Sequence, residues 1–384
     1  MSIDRLKWAV PGVFLFLVGC GSDGSGGSGG SGGGNIITGE GIPNPFPVVT
    51  NQWGELPAGR AWGHTAGIDI DPTDGHIWAY ERCGAGGGSA GPADGAVNCD
   101  TNPVDPIFKF DRNTGEVLAN FGAGMFVIPH GIDVDSDGNV WITDFVANAS
   151  GTKGQQAHKF SPDGELLMSL GVAGQAGNDS AHFNGPNDVI VAADGSIFVA
   201  DGHDGQTMTS VTAIEEGRQA GKTGRIMKFA ADGTFITQWG QLGTDHGDFR
   251  TPHGLEIDSQ NRLWVADRGN HRLELFDLEG NYLESRYSYG RISGIYITAD
   301  NMLYATDSES DPIRHVNWIA GVRIGPLNED RLTAFIPGYP DETRNYQSTA
   351  GEGVAVDADG TVFVAEGPAS IPIAKGAFTR YSAD

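Results

Sequence analysis

Apolar and polar residues alternate with a period of two through six short stretches of this chain. They read GIDIDPTDGHIWAYE from Gly67, PHGIDVDSDGNVWITD from Pro129, NDVIVAADGSIFVAD from Asn187, PHGLEIDSQNRLWVAD from Pro252, SGIYITADNMLYATD from Ser293 and EGVAVDADGTVFVAE from Glu352. Each breaks at an Asp-Gly or Asn turn and then resumes its alternation, which predicts a hairpin of two short strands. A third strand is expected after most copies, at 107–110, 158–160, 225–229, 272–276 and 378–381, and a fourth at 235–239.

Units of roughly 40 to 50 residues with up to four strands each are the signature of propeller blades, because a sheet of that size cannot cover both its faces without neighbours. The pattern therefore predicts an all-β fold, a six-bladed β-propeller spanning 46–384. The segment FPVVTNQWGELPAG from Phe46 resembles TFITQWGQLG from Thr234, and the chain ends just after the third strand of the last copy. An N-terminal strand is thus expected to complete the sixth blade and leave no open sheet edge at the junction.

Ahead of the repeats, MSIDRLKWAVPGVFLFLVGC combines Arg5 and Lys7 with an apolar run to Val18 that is too short for a stable span. It reads as a signal peptide over 1–20, and Leu17-Val18-Gly19-Cys20 resembles a bacterial lipobox with Cys20 as the lipidated residue. An ordinary cleaved signal with an incidental cysteine is the other reading. The Gly/Ser-rich stretch within 21–45 is a flexible tether. These features predict a lipoprotein of the bacterial cell envelope, at the outer membrane or in the periplasm, touching the membrane only through its anchor. Cys83 and Cys99 then remain as an even pair around a Gly-rich excursion, in a compartment that permits a disulfide between them.

The formal net charge of −25 disfavours nucleic acid and anionic membrane surfaces, both of which need clustered Lys and Arg. Part of the acid lies in the hairpin turns, at Asp71, Asp135, Asp137, Asp258, Asp357 and Asp359. Such aspartates are expected to bond their own backbone in solvated turns, with structural Ca2+ as the alternative.

In a propeller the first strand of each blade lines the central axis, so equivalent repeat positions face one another. Aligned on the turns, one such position reads Ala66, His130, Asn187, His253, Ser293 and Glu352. Two imidazoles and a carboxylate with an open coordination position suit Zn2+ or another divalent metal, so His130, His253 and Glu352 are the expected ligands. Taken singly, each would be an ordinary hydrogen-bonded residue or a turn cap.

The residue after each hairpin forms a second ring, Arg82, Phe145, Gly202, Arg268, Ser308 and Gly367. Arg82 and Arg268 are expected to overlook the channel mouth and grip a carboxylate, unless they pair instead with the adjacent Glu81 and Asp267. His203, one step beyond Gly202, is a candidate general base or a solvent-exposed loop residue. The insertion from Thr207 to Gly224 is either a lid or a surface loop.

The repeats resemble NHL repeats. The run from about Gly63 onward resembles the peptidyl-α-hydroxyglycine α-amidating lyases, most closely in MFVIPHGIDVDSDGNVWITD, HFNGPNDVIVAADGSIFVADG and TQWGQLGTDHGDFRTPHGLEIDSQNRLWVADRGNHR. The resemblance implies a lyase that splits an N-acyl-α-hydroxyglycine into an amide and glyoxylate at a channel zinc. It places His130 and His253 at two of the family's three zinc histidines, and Arg82 and Arg268 at its channel arginines. The chain departs from the family at Glu352, where the third histidine would stand, and at His203, where the catalytic tyrosine would stand. It also has Gly353 in place of a calcium-binding aspartate, and Asn184, Asp204, Trp264 and Leu275 in place of the family's cysteines. The expected partner is a small molecule or peptide bearing a carboxylate, bound by a monomer. A related propeller hydrolase or lactonase, a streptogramin-type lyase and a non-catalytic NHL binding protein of the envelope are the competing readings.

Overall fold

The computed structural model describes residues 41–60, 62–84, 97–340, 348–367, 370–374 and 376–383, all within the compact unit Asn35–Asp384. The expected signal segment 1–20, Cys20 and most of the tether lie outside the described residues. So do 85–96 of the Gly-rich excursion.

Six antiparallel four-stranded sheets follow one another along the chain. Blade 1 comprises β2 (Ile68–Ile70), β3 (Ile77–Tyr80), β4 (Ile107–Phe110) and β5 (Val117–Phe121). Blade 2 comprises β6 (Pro129–Val134), β7 (Val140–Asp144), β8 (Gln156–Phe160) and β9 (Leu166–Leu170). Blade 3 comprises β10 (Pro186–Val191), β11 (Ile197–Asp201), β12 (Arg225–Phe229) and β13 (Phe235–Trp239). Blade 4 comprises β14 (Pro252–Ile257), β15 (Arg262–Asp267), β16 (Arg272–Asp277) and β17 (Tyr282–Arg286). Blade 5 comprises β18 (Ile292–Ile297), β19 (Met302–Asp307), β20 (Gly321–Pro326) and β21 (Ala334–Pro337). Blade 6 takes β22 (Gly353–Val356), β23 (Val362–Ala365) and β24 (Phe378–Ser382), and β1 (Val48–Asn51) completes it by pairing with β24 from Val48↔Ser382 to Asn51↔Thr379. The ring is therefore closed by the N-terminal strand, as the repeat of the Trp-Gly segment predicts.

Burial follows position in the blade. The second strands β3, β7, β11 and β23 are buried at every residue, whereas the fourth strands β5 and β13 alternate between half-buried and exposed. Trp78, Trp141 and Trp264 sit at equivalent points of β3, β7 and β15 with at most 1% exposure. Each indole N–H donates to the turn aspartate of its own hairpin, Asp71 at 3.0 Å, Asp135 at 3.2 Å and Asp258 at 3.0 Å. These three turn aspartates are accordingly buried rather than solvated, and they hold the hairpin against the blade core while Asp137 and Asp359 stay exposed. Truncating such a tryptophan costs about 3–5 kcal/mol.

A second acidic position ends the inner hairpin of each blade, at Glu81, Asp144, Asp201, Asp267, Asp307 and Glu366, and every one is fully buried. Asp144 accepts the backbone N–H groups of Val127 and Ile128, and Asp267 those of Arg250 and Thr251. The acid thereby ties the segment entering the inner strand to the strand beside it, which sets where the channel-lining residues begin. Because Glu81 takes Arg60 and Asp267 takes Arg272, neither acid neutralises the arginine that follows it.

Cys83 and Cys99 form a disulfide at the root of the excursion in blade 1. In blade 3 the insertion carries α1 (Val211–Gln219), whose first turn is capped by the Ser210 hydroxyl accepting from Ala213 N–H at 3.1 Å. A Cβ on Gly217 would fall 2.5 Å from Met208 Sδ and 2.8 Å from Leu242 Cδ2, so the helix packs against the connection that follows β13 rather than standing free.

Candidate functional site

Five of the six inner strands place a glycine immediately after the channel position, at Gly67, Gly131, Gly254, Gly294 and Gly353. A Cβ at Gly131 would lie 2.5 Å from the carbonyl oxygen of Asn187, and one at Gly254 would lie 2.6 Å from that of Ser293. The missing side chain thus lets each inner strand approach the next blade closely. At that approach His130 Nδ1 lies 2.9 Å from Asn187 O, and His253 Nδ1 lies 2.9 Å from Ser293 O. A carbonyl only accepts, so both imidazoles carry their proton on Nδ1 and direct the Nε2 lone pair away from the strand.

His203 reaches the same place from a different element. Gly202, at φ +133°, turns the chain out of β11 where a Cβ would meet Thr223 O at 2.2 Å, and the next residue heads the short turn Asp204–Thr207. One nitrogen each from His130, His203 and His253 lies within 4.8 Å of the others. Burial, followed by the positive charges of Arg268, Arg82 and neighbouring imidazoles, pushes all three far below the usual histidine range, His203 to about 3. They are neutral bases at physiological pH. The Nε2 of His253 is buried and has no hydrogen-bond partner, an arrangement that costs free energy unless something electrophilic sits before it. This donor set fits a borderline divalent ion such as zinc.

Glu352 projects beside this group with Oε2 3.9 Å from His253 Nε2, and it is 8% exposed. Burial raises its pKa, while the positive charges of Arg268 and Arg82 oppose the rise. Of the ligands expected from sequence, His130 and His253 come together with the imidazole of His203, and Glu352 stands one step outside them. The ring alignment could not reveal this, because His203 belongs to the loop after the hairpin and reaches inward only through the turn at Gly202.

Arg82 and Arg268 line the cavity above the imidazoles together with His130, Phe145, His203, Gln206, Glu309 and Glu352, in a space of about 50 Å³. Arg82 donates from Nε to Pro129 O at 3.0 Å and lies over the Phe145 ring at 5.8 Å. Arg268 donates to Ser293 Oγ at 3.2 Å and approaches His203 Nε2 at 3.4 Å, while its own Nε is buried without a partner. Gln206, just before the blade 3 insertion, reaches the cavity wall. Glu309 occupies in blade 5 the register position that His203 holds in blade 3. Below the imidazoles the channel widens to a second cavity of about 210 Å³, into which Asp69, Asp133, Asp188 and Glu256 face.

Residues 249–276 match the NHL repeat family model. Peptidyl-glycine alpha-amidating monooxygenase B of Xenopus laevis is 32% identical over 279 residues, covering 69% of this chain and 28% of the frog protein. The chain thus spans little more than a quarter of that relative. A probable peptidyl-α-hydroxyglycine α-amidating lyase of Caenorhabditis elegans is 28% identical over 326 residues, covering 79% of this chain and 80% of the nematode protein. Among solved structures, a gluconolactonase from Xanthomonas campestris superposes with a TM-score of 0.52 at 14% identity, over 89% of this chain and 97% of that one, a likeness of fold. With its six blades, its NHL repeat and these relatives, the chain is an NHL-type propeller similar in sequence to the peptidyl-α-hydroxyglycine α-amidating lyases.

Proposed function

We propose that the channel is the active site of a metal-dependent lyase that cleaves an N-acyl-α-hydroxyglycine into an amide and glyoxylate. The observation that carries this reading is the convergence of three neutral imidazoles within 4.8 Å beneath two buried guanidinium groups. His130, His203 and His253 would hold the metal, whose Lewis acidity would make the substrate hydroxyl easier to deprotonate.

The reaction needs a proton to leave the hydroxyl, the C–N bond to break, and a proton to reach the departing nitrogen. One carboxyl group can do both transfers, because the proton it takes from oxygen is the proton that nitrogen requires. Glu352 is placed for this, beside His253 and partly shielded from water, and its raised pKa makes it a stronger base than an exposed carboxylate. This exchanges the roles expected from sequence, making His203 a ligand and Glu352 the proton carrier. Arg82 and Arg268 would orient the substrate's carboxylate and offset the negative charge that develops on the hydroxyl oxygen as its proton leaves.

The test is glyoxylate release from N-benzoyl-α-hydroxyglycine by protein of measured metal content. Stoichiometric metal and turnover abolished by a chelator support the reading, and turnover that survives complete metal removal overturns it. We further propose that residues 1–20 direct the protein to the bacterial envelope with Cys20 as its lipid anchor. Incorporation of labelled palmitate that disappears in Cys20→Ser checks this.

A further inference from the structure

Above the imidazoles, the carboxylate of Glu309 is surrounded by guanidinium groups from three directions. Its Oε2 accepts from Arg291 at 3.0 Å and from Arg314 at 2.9 Å, and its Oε1 lies 3.8 Å from Arg268. The three arginines are not equivalent. Arg291 is 1% exposed and also contacts His271 Nε2 at 3.1 Å, whereas Arg314 is 38% exposed and shares itself with Asp311. Arg268, 1% exposed, has the weakest hold on Glu309, since 3.8 Å exceeds a hydrogen bond, and its Nε has no partner at all. Arg268 and Glu309 also line the reaction cavity, whereas Arg291 and Arg314 stand behind Glu309.

A buried guanidinium with unused donors beside a carboxylate it does not fully engage is a receptor with capacity for a second anion. We infer that Glu309 is a built-in competitor for the anion site of the mouth, and that a ligand carboxylate binds by taking over Arg268 while Arg291 and Arg314 retain Glu309. Although burial alone would raise it, the surrounding guanidinium groups hold Glu309 at about 2, so it competes as an anion throughout the working pH range. Glu309 is then a specificity-determining residue. By partly neutralising the mouth it discourages indiscriminate anion uptake and favours ligands whose remaining groups also reach the imidazoles below.

This inference rests on the channel being a carboxylate-binding site, and its test avoids turnover so that the two can fail separately. The probe is N-benzoylglycine, which has the carboxylate but no hydroxyl to cleave, compared with its neutral amide. Calorimetry on zinc-loaded protein is expected to show Glu309→Gln binding the acid roughly tenfold more tightly than wild type, with the amide unchanged. The gain should persist in 1 M salt, where the screening length is about 3 Å and a distant field effect would vanish. Arg291→Met added to Glu309→Gln should leave much of the gain, because Arg268 supplies the site, whereas Arg268→Met should erase it. A carboxamide at 309 that improves both ligands equally, improves neither, or leaves the acid unbound in wild type and variant alike overturns the proposal. Should the first variant not fold, Glu309→Asp, which withdraws the carboxylate by one methylene, should give a smaller gain in the same direction.

Discussion

His253 Nδ1 and the carbonyl oxygen of Ser293 lie 2.9 Å apart, joining the channel position of blade 4 to that of blade 5. This bond selects the tautomer that turns Nε2 toward His130 and His203, and it exists only because Gly254 lets the two inner strands meet. Partners of this kind orient metal-binding imidazoles, and their loss typically weakens metal affinity by about 10–100-fold. Gly254→Ala would place a Cβ 2.6 Å from that same carbonyl and push the strands apart. The expected outcome is a folded propeller whose zinc affinity, measured by competition with a chromogenic chelator, falls within that range. Unchanged affinity would show that the interblade bond does not position His253.

Four carboxyl groups facing the lower channel make the protein sensitive to alkali. Burial, opposed by the backbone N–H groups of Val134 and Ile70, pushes Asp69 up to about 7, and burial likewise pushes Asp188 up to about 8. In the unfolded chain both titrate near about 3.9, so between the two values the folded state binds more protons. Stability from these groups is fully present below about pH 4 and is lost as pH rises through 7 to 8. Buried histidines such as His158, lowered by burial to about 4, act oppositely, but only up to about pH 6.5, where the unfolded imidazole loses its proton. From pH 6.5 to 8.5, therefore, the denaturant midpoint should fall. Asp69→Asn, which keeps the shape without the charge, should flatten the decline.

The disulfide between Cys83 and Cys99 closes a loop with a sequence separation of 16. Constraining a loop of that length in the unfolded chain contributes about 3 kcal/mol in the chain-entropy account. The Cys83→Ser, Cys99→Ser double variant should be less stable in denaturant unfolding than wild type by about that amount, and reducing agent should bring wild type to the same midpoint. Arg82 directly precedes the bridge, so the double variant should also bind carboxylates less well.

The period-two alternation and the Asp-Gly turns announced the hairpins because each inner pair of strands has one repeating environment. The strands predicted at 107–110, 225–229 and 235–239 coincide with β4, β12 and β13. Outer strands such as β9 were harder to read, since LLMSL is exposed over most of its length and carries no core-facing alternation. In blade 5 the third and fourth strands, Gly321–Pro326 and Ala334–Pro337, are separated from the hairpin by the long 308–320 loop and passed unrecognised. The site divides the same way. Residues fixed by strand register, His130, His253, Glu352, Arg82 and Arg268, could be aligned, whereas His203 as an imidazole partner and Glu309 as a carboxylate among arginines depend on loop conformations that alternation does not encode.

His203 and Glu352 can be separated by experiment, because a ligand and a proton carrier fail in different ways. His203→Ala removes one of three nitrogens that lie within 4.8 Å, so metal content and activity should fall together, with activity partly restored by excess zinc. Glu352→Gln keeps the size of the side chain and leaves the three imidazoles in place, so metal content should stay near that of wild type. Its turnover should nonetheless drop by about 10²–10⁴-fold, the usual contribution of a positioned acid–base group, while KM changes little. Metal analysis by mass spectrometry beside glyoxylate assays distinguishes the two patterns. If Glu352→Gln instead lost its metal while His203→Ala retained it, the carboxylate would be a ligand and the histidine the proton carrier. The division of labour would then be the one that the sequence alignment alone suggests.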